Sequence, residues 1–322
     1  MEIRAPKVCS LRQGNDAEIY EVLQGSKEVW GSGISLEDYV EYHSLIRNHP
    51  WSQEHYKHLI LIDEDRHILS SCKTYDYQVR IDSEILRLCG IGAIFTPKRD
   101  RGLGYASQML DYLLDELREQ GFDLAMLFSD IGIDFYARLG FRLFDKKDPV
   151  YVFLGTGIEP AEIQILNHLP GELLEWDKNY DQRERFAIEK SPVYLQLLSE
   201  RISWHQQYLG YQDQRVVVSF PERSYLLADL GRWRMTIRRF GTLSPEPAES
   251  LGRLLSALYH KLGVQEISGW LPKEFELYPF LRVKEKQRRI RTQMMFLALS
   301  EKGKIIYGLS PEEIQFWLAD YF

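Results

Sequence analysis

Residues Ile91 to Gln120 read IGAIFTPKRDRGLGYASQMLDYLLDELREQ, and this stretch decides the fold. Ile91, Ala93, Ile94 and Phe95 make a short apolar run interrupted by Gly90 and Gly92. Glycine inside a strand marks a bulge or the close approach of another backbone or a ligand. Pro97 ends the strand because it cannot donate to a ladder. A basic turn follows, Lys98-Arg99-Asp100-Arg101, and then Gly102-Leu103-Gly104-Tyr105-Ala106. Its small residues let successive N–H groups converge on one point. Met109, Leu110, Leu113, Leu114 and Leu117 then recur at helical spacing. The free N–H groups and dipole of such a helix start attract an anion, and the arginines add positive charge. A pyrophosphate suits that site.

A dinucleotide fingerprint is one reading of Gly102-x-Gly104, with Asp123 near the distance of a ribose-binding acid. It wants a glycine or alanine where Ser107 stands, and glycines tight against the strand end. Here Thr96 to Arg101 intervene. A P-loop is excluded, since no Gly-Lys-Ser/Thr follows.

The hexamer Arg101-Gly102-Leu103-Gly104-Tyr105-Ala106 resembles the coenzyme A loop of the GNAT N-acetyltransferase superfamily, Arg/Gln-x-x-Gly-x-Gly/Ala. A second element follows in the expected order. Phe122 to Phe128 reads as a strand, and Asp134-Phe135-Tyr136-Ala137-Arg138-Leu139-Gly140-Phe141 resembles the FYxxLGF signature of that family. Ser129-Asp130-Ile131-Gly132, with Ile94-Phe95-Thr96-Pro97, is similar to the branch containing fungal lysine N6-acetyltransferase.

The resemblance implies an α/β (α+β) GNAT fold, with a mixed, mostly antiparallel central sheet flanked by helices. It implies acetyl transfer from acetyl-CoA directly to the primary amine of a small molecule, an amino acid or a polyamine-like compound. It maps pantetheine pairing onto Ala93, Ile94, Phe95 and Thr96, and pyrophosphate binding onto the loop Arg101 to Ala106. Tyr136 matches the position whose hydroxyl faces the coenzyme sulfur and protonates the leaving thiolate. No metal is implied.

The chain has 322 residues, enough for two domains, with 44% apolar residues. No apolar run reaches about eighteen residues and no basic-then-apolar leader is present, so we expect a cytoplasmic protein without a membrane partner. Three cysteines, Cys9, Cys72 and Cys89, are too few for a disulfide framework. A net charge of −7 argues against nucleic acid as a partner.

We place the acetyltransferase domain at 1–156 and an accessory α+β domain at 157–322. Residues 1–12 read as an edge strand, and Asp16–Trp30 as a helix broken near Gly25. Ser35 caps a helix over Leu36–Arg47. Of Trp30, Tyr39, Tyr42, Trp51 and Tyr56, one or two should face the acceptor, and nearby carboxylates suit a cationic amine. Leu59–Ile62 and His67–Val79 read as antiparallel strands joined by a polar turn. Arg142–Phe153 gives two short strands that complete the first sheet.

Beyond 157, Val193–Trp204 is amphipathic. Strands at Arg215–Phe220, Tyr225–Leu230 and Trp233–Phe240 precede a helix at Glu246–Leu262, then strands at Val264–Trp270 and Gln293–Leu299. That order echoes the first domain without its glycine loop, as in a degenerate GNAT-like half. The basic run Arg282–Arg291 reads as a solvated loop or strand edge.

No general base stands out. Asp76, Asp82 and Glu84 are candidates, as are a bound water and the carboxylate of Phe322, brought in by the apolar tail from Phe316. His55 and His58 share a metal-compatible spacing but lack a third ligand. Cys89 is read as structural. A non-catalytic acyl-CoA sensor and an NAD(P)-dependent enzyme are the rival functions.

Overall fold

The computed structural model describes residues 9–31, 33–155, 157–208, 214–269, 271, 279–287 and 292–315. The first part of the chain runs β1 (Cys9–Gln13), α1 (Asp16–Trp30), α2 (Leu36–Asn48), α3 (Pro50–His55), β2 (Tyr56–Asp63), β3 (Ile68–Ile81), β4 (Glu84–Phe95), α4 (Tyr105–Glu119), β5 (Leu124–Ser129), α5 (Asp134–Ala137), β6 (Arg142–Leu143) and β7 (Asp148–Phe153). The remainder runs β8 (Gln164–Leu166), α6 (Leu173–Asp181), β9 (Phe186–Ile188), α7 (Pro192–Tyr208), β10 (Gln214–Ser219), β11 (Ser224–Leu230), β12 (Arg234–Thr242), α8 (Pro247–Leu262), β13 (Glu266–Ser268), β14 (Leu281–Gln287) and β15 (Gln293–Ala298).

Helix α1 starts in a capping box. The Glu18 N–H donates to Asn15 Oδ1 at 3.0 Å, and the Asn15 N–H donates to Glu18 Oε2 at 2.9 Å. Two orphan donors are satisfied reciprocally, an arrangement that stabilises by about 1 kcal/mol. The break expected at Gly25 does not occur; α1 is continuous. A Cβ at Gly25 would lie 2.8 Å from Phe95 Cζ, so this glycine lets the phenyl ring at the end of β4 press against the helix. Close packing, not turning, explains it.

The first sheet has the order β1-β2-β3-β4-β5-β15-β6, with β9 paired to β3. Among its described strand pairs only β4–β5 is parallel, joined through α4, whose Met109, Leu110, Leu113, Leu114 and Leu117 are buried against the sheet. The second sheet has the order β14-β7-β13-β12-β11-β10-β8. It repeats the plan: an antiparallel run β10-β11-β12, the crossover helix α8, then β13 parallel to β12. The fold is therefore the mixed, mostly antiparallel α+β arrangement expected, doubled.

The two halves exchange strands. β15 lies antiparallel to β5, with Gln293 opposite Ser129 and Ala298 opposite Leu124. Reciprocally, β7 lies antiparallel to β13 and carries β14 on its other edge. Arg142–Phe153 thus does not complete the first sheet as expected. β6 stays there, beside β15, while β7 crosses over because its backbone pairs with β13 and β14. A cut at residue 156 would separate β7 from the rest of its sheet. One core accordingly draws on both halves, placing Leu124 and Met126 of β5 with Phe296 of β15, Leu198 of α7 and Val216 of β10.

The second half has no glycine loop before its crossover helix. Pro247 occupies the first turn of α8, and no side chain caps it. Arg239 on β12 is fully buried, and its Nε donates to both carboxylate oxygens of Asp177 on α6 at 2.8 and 2.9 Å. The Tyr225 hydroxyl donates to the same carboxylate at 2.6 Å. β13 is shorter than the strand expected at Val264–Trp270, and the expected edge strand begins at Cys9 within the described residues. β14, from the basic run, is an outer strand whose Arg282 and Lys284 are exposed; residues 288–291 lie outside the described residues.

Candidate active site

The loop before α4 is held open by two glycines. Gly102 and Gly104 take φ of 79° and 87°, a region that side-chain-bearing residues reach only with strain. The Gln108 N–H is the donor that reaches back to Gly104 O, at 3.0 Å. Tyr105, Ala106 and Ser107 thus present the orphan N–H groups of the first turn, and no side chain caps the helix. Arg101 Nε donates to Thr96 O at 3.0 Å, which ties the loop to the end of β4. Lys98 pairs with Glu28 of α1 at 2.5 Å, and Arg99 with Asp100 at 3.1 Å.

Immediately upstream, the sheet opens. The β4–β5 pairing stops at Ile91 opposite Leu127, although β4 runs to Phe95 and β5 to Ser129. On the other edge, Ser71 pairs with Phe95 and Lys73 with Gly92, so two steps along β3 match three along β4. That extra residue is a β-bulge, and Ala93 within it takes φ of 47°. The bulge re-aims the backbone of Ala93, Ile94 and Phe95 away from β5 and into a cleft.

A cavity of about 1020 Å³ fills this cleft. At one end it is lined by Ile91 to Thr96, Arg101 and Ala106. Gly102, Leu103, Gly104 and Tyr105 are not part of that lining; the first three are exposed on the loop outside it. Leu127, Phe128, Asp130, Phe135 and Tyr136 also line it. Trp30, Tyr39, Tyr42 and Trp51 from the first three helices line it too, with Trp30 against Phe95 at 6.4 Å between ring centroids. Lys73, Tyr75 and Tyr77 line it from β3, and Tyr194, Arg201, Trp204 and His205 from α7. Four of the five early aromatics thus face the cavity, more than expected. Tyr56 instead packs on Tyr75, with ring centroids 5.2 Å apart.

Tyr136 is buried, and burial, with Asp130 second, raises its phenol to about 12. It keeps its proton at neutral pH and can donate a hydrogen bond into the cavity. Asp130 is the one carboxylate among the described lining residues; it is exposed and accepts from the Thr292 N–H at 2.9 Å. The acidic acceptor side expected from sequence is therefore replaced by a cationic one. Lys73 is buried, and its ammonium is pulled down to about 7 by burial and then by Arg201. Lys73 Nζ lies 3.0 Å from His43 Nδ1, and burial, with Lys73 alongside, brings that imidazole down to about 2.

The other candidates are occupied elsewhere. Asp76 accepts from Arg87, whose NH2 group lies 2.6 Å away; Asp82 is bridged to Arg185 at 2.7 Å and Glu84 to Lys302 at 3.2 Å. None of them lines the cavity. Asp123 accepts from the Arg87 N–H at 3.0 Å and the Ser300 hydroxyl at 2.7 Å, so it is committed to holding its own chain together. Cys89 is buried in the core beneath α4, and its thiol is pushed up by burial. Among the described residues, Asp63, Asp65 and His67 form the one grouping of three metal-compatible side chains, on the turn after β2; His55 and His58 are not in it. Phe322 and the tail from Phe316 lie outside the described residues.

Sequence reading missed Lys73, Arg201 and the aromatics of α7. A signal for Lys73 was available. It shares strand parity with Tyr75, Tyr77 and Val79, whose side chains face the interior. For α7 no local signal exists, because its role depends on docking against α2 and α3.

Residues 10–144 match the family model described as an acetyltransferase (GNAT) domain. A curated lysine acetyltransferase from Yarrowia lipolytica is 27% identical over 161 residues, 42% of this chain. The match spans 40% of that relative's length. A GCN5-related N-acetyltransferase from Anabaena variabilis superposes with a TM-score of 0.68 at 13% identity, covering 91% of this chain and 73% of the other. Eis1 from Mycobacterium abscessus superposes with a TM-score of 0.62 at 12% identity, over 93% and 75%. The GNAT resemblance carried by the two motifs is borne out over residues 10–144, the part of the chain that matches this domain. The structural likenesses cover the second sheet as well, and at these identities they speak to fold.

Proposed function

We propose that this protein transfers an acetyl group from acetyl-CoA to the primary amine of a small molecule, with a lysine-type ε-amine as the favoured acceptor. One observation carries the reading: Arg101 and Ala106 on either side of the glycine loop, the bulged backbone of Ala93 to Phe95, Tyr136 and a group of buried aromatics all line a single cavity. In this reading residues 1–156 supply the groups that touch the coenzyme, while 157–322 complete the first sheet through β15 and close the acceptor chamber through α7. The orphan N–H groups at the start of α4 and the Arg101 charge receive the pyrophosphate. The re-aimed backbone of Ala93, Ile94 and Phe95 pairs with the pantetheine amides, and an N–H of the bulge polarises the thioester carbonyl.

The amine nitrogen attacks the carbonyl carbon, the C–N bond forms and the C–S bond breaks. Tyr136 gives its phenolic proton to the departing sulfur and regains one from solvent. The chamber admits a slender amine, which a lysine side chain provides. The relative's name, lysine acetyltransferase, supports that choice. Among the described residues no helix is long and apolar enough to cross a membrane.

The test is thermal stability with acetyl-CoA, CoA, NAD and NADP, for wild type and Gly104→Glu. A ligand at 100-fold its dissociation constant stabilises by about 2.7 kcal/mol. We expect stabilisation by the two coenzyme A forms alone, lost in the variant, whose carboxylate repels the pyrophosphate. No response to either would remove the acetyltransferase reading.

A further inference from the structure

We propose that Lys73 is the proton acceptor for the attacking amine, and that His43 is the positioning residue that aims it. The inference rests on the acetyl-transfer reading above. Lys73 stands across the strand pair from Gly92, beside the bulge that would hold the thioester, and it lines the cavity. Its Nζ lies 3.0 Å from His43 Nδ1 and 3.4 Å from Nε2, which fixes where the side chain ends. A neutral amine that donates one N–H to a neutral imidazole keeps its lone pair for the cavity.

The groups packed around Lys73 favour that neutral form. Arg201 reaches it from α7, His43 from α2 and His58 from β2, and Tyr75 lies beside it in the cavity wall. None of these is a carboxylate. Burial and the Arg201 charge bring Lys73 to about 7, where a base is half free at neutral pH and works best. The same charge disfavours an ammonium form of the incoming amine.

Rival bases among the described lining residues are weaker. Burial holds His43 near 2 and His205 near 4, so neither competes for a proton. Arg201 stays charged. Asp130 sits exposed at the rim, bonded to the Thr292 N–H.

In the step itself the amine nitrogen bonds to the carbonyl carbon and its proton moves to Lys73 Nζ, which becomes an ammonium. The sulfur leaves with the Tyr136 proton. Lys73 then loses its proton to solvent and Tyr136 regains one, so both are reset and the net products are the amide and the free thiol.

The test follows thiol release from acetyl-CoA against pH, with a panel of primary amines including free lysine and cadaverine. The proteins are wild type, Lys73→Met, Lys73→Arg and Asp130→Asn. At saturating amine, wild-type kcat should fall on the acid side with a midpoint near 7. Both Lys73 variants should lose about 100-fold or more in kcat while keeping the acetyl-CoA thermal shift. Asp130→Asn should keep the acid limb. Near-wild-type turnover by Lys73→Arg would mean that the site needs only the charge, and loss of the limb in Asp130→Asn would move the base there. Either result overturns the proposal.

Should the Lys73 variants fail to fold, His43→Asp decides the matter. A carboxylate beside Lys73 stabilises its ammonium and should move the limb up by about one pH unit or more. An unmoved limb refutes the assignment. A wild type that neither responds to acetyl-CoA nor acetylates any amine sinks the acetyl-transfer reading itself, and does so before any variant is made.

Discussion

Gln293 pairs with Ser129, so the strand that flanks β5 in the first sheet comes from the second half of the chain. Met295 on that strand is buried, in the core formed by α4 and β5. The sheet behind the glycine loop is thereby built by residues distant in sequence.

Met295→Asp should consequently disable the proposed coenzyme site although it lies far along the chain. Burying an unpaired carboxylate in that core should cost on the order of 3 kcal/mol or more. Urea unfolding and the acetyl-CoA thermal shift measure the two effects. Wild-type stability would show that β15 is dispensable.

Gly25→Val places a side chain where Phe95 Cζ stands 2.8 Å from an ideal Cβ. The ring must move, and overpacking of this kind costs about 1–3 kcal/mol. Because Phe95 ends the bulged segment of β4, acetyl-CoA affinity should fall together with stability. Gly171→Val, whose Cβ meets nothing within 4 Å and whose backbone is not left-handed, is the control and should leave both unchanged; an equal loss there would mean that the contact with Phe95 is not the cause.

Tyr136→Phe removes a hydroxyl and little volume. Under the proposed chemistry kcat should drop about 100-fold, with coenzyme affinity unchanged. Since burial raises this phenol to about 12, wild-type activity should show no alkaline loss from it below pH 10. An alkaline limb near pH 9 that disappears in the phenylalanine variant would contradict the assignment.

Stability should depend on pH through Lys73. Its folded value is depressed to about 7, while an unfolded lysine titrates near ~10.4. Between these values the unfolded chain binds the extra proton, so stability rises with pH over that window; below it both states are protonated and the burden of the buried charge is greatest. Urea midpoints at pH 7 and pH 9 should differ more for wild type than for Lys73→Met. Equal differences would mean that Lys73 titrates normally.

The thiols offer a simpler check. Burial raises Cys72 to about 12 and pushes Cys89 up as well, whereas Cys9 is partly exposed. A thiol-reactive disulfide reagent at pH 8 should label one cysteine in the native protein and three after denaturation. Fast labelling of Cys89 would reopen a covalent intermediate.

Some of this was legible from residue order because it is local. The glycine loop, the apolar stripe of α4 and the Phe135-Tyr136 pair lie within a short stretch, and their spacing alone defines them. Gly25 misled, because a glycine that admits a phenyl ring looks the same in sequence as one that breaks a helix. The β7–β15 exchange was hidden for a different reason: an apolar strand does not declare which of two similar sheets will take it. The chamber's charge was misread likewise, since Lys73 and Arg201 belong to elements that meet only after α7 docks. Sequence showed many acids but not which way they faced.

The exchange also sets an order of events during synthesis. When the glycine loop leaves the ribosome, the edge of β5 that will receive β15 has no partner, and it waits through all the intervening chain. At usual elongation rates the delay is on the order of ten seconds or more. Throughout it an apolar edge is open to neighbouring nascent chains, a hazard of long-range pairing. The first sheet is finished only when the second is nearly complete, so under the proposed function a half-made chain has no coenzyme site to protect it, and a ligand could buffer the fold against unfolding only at the close of translation.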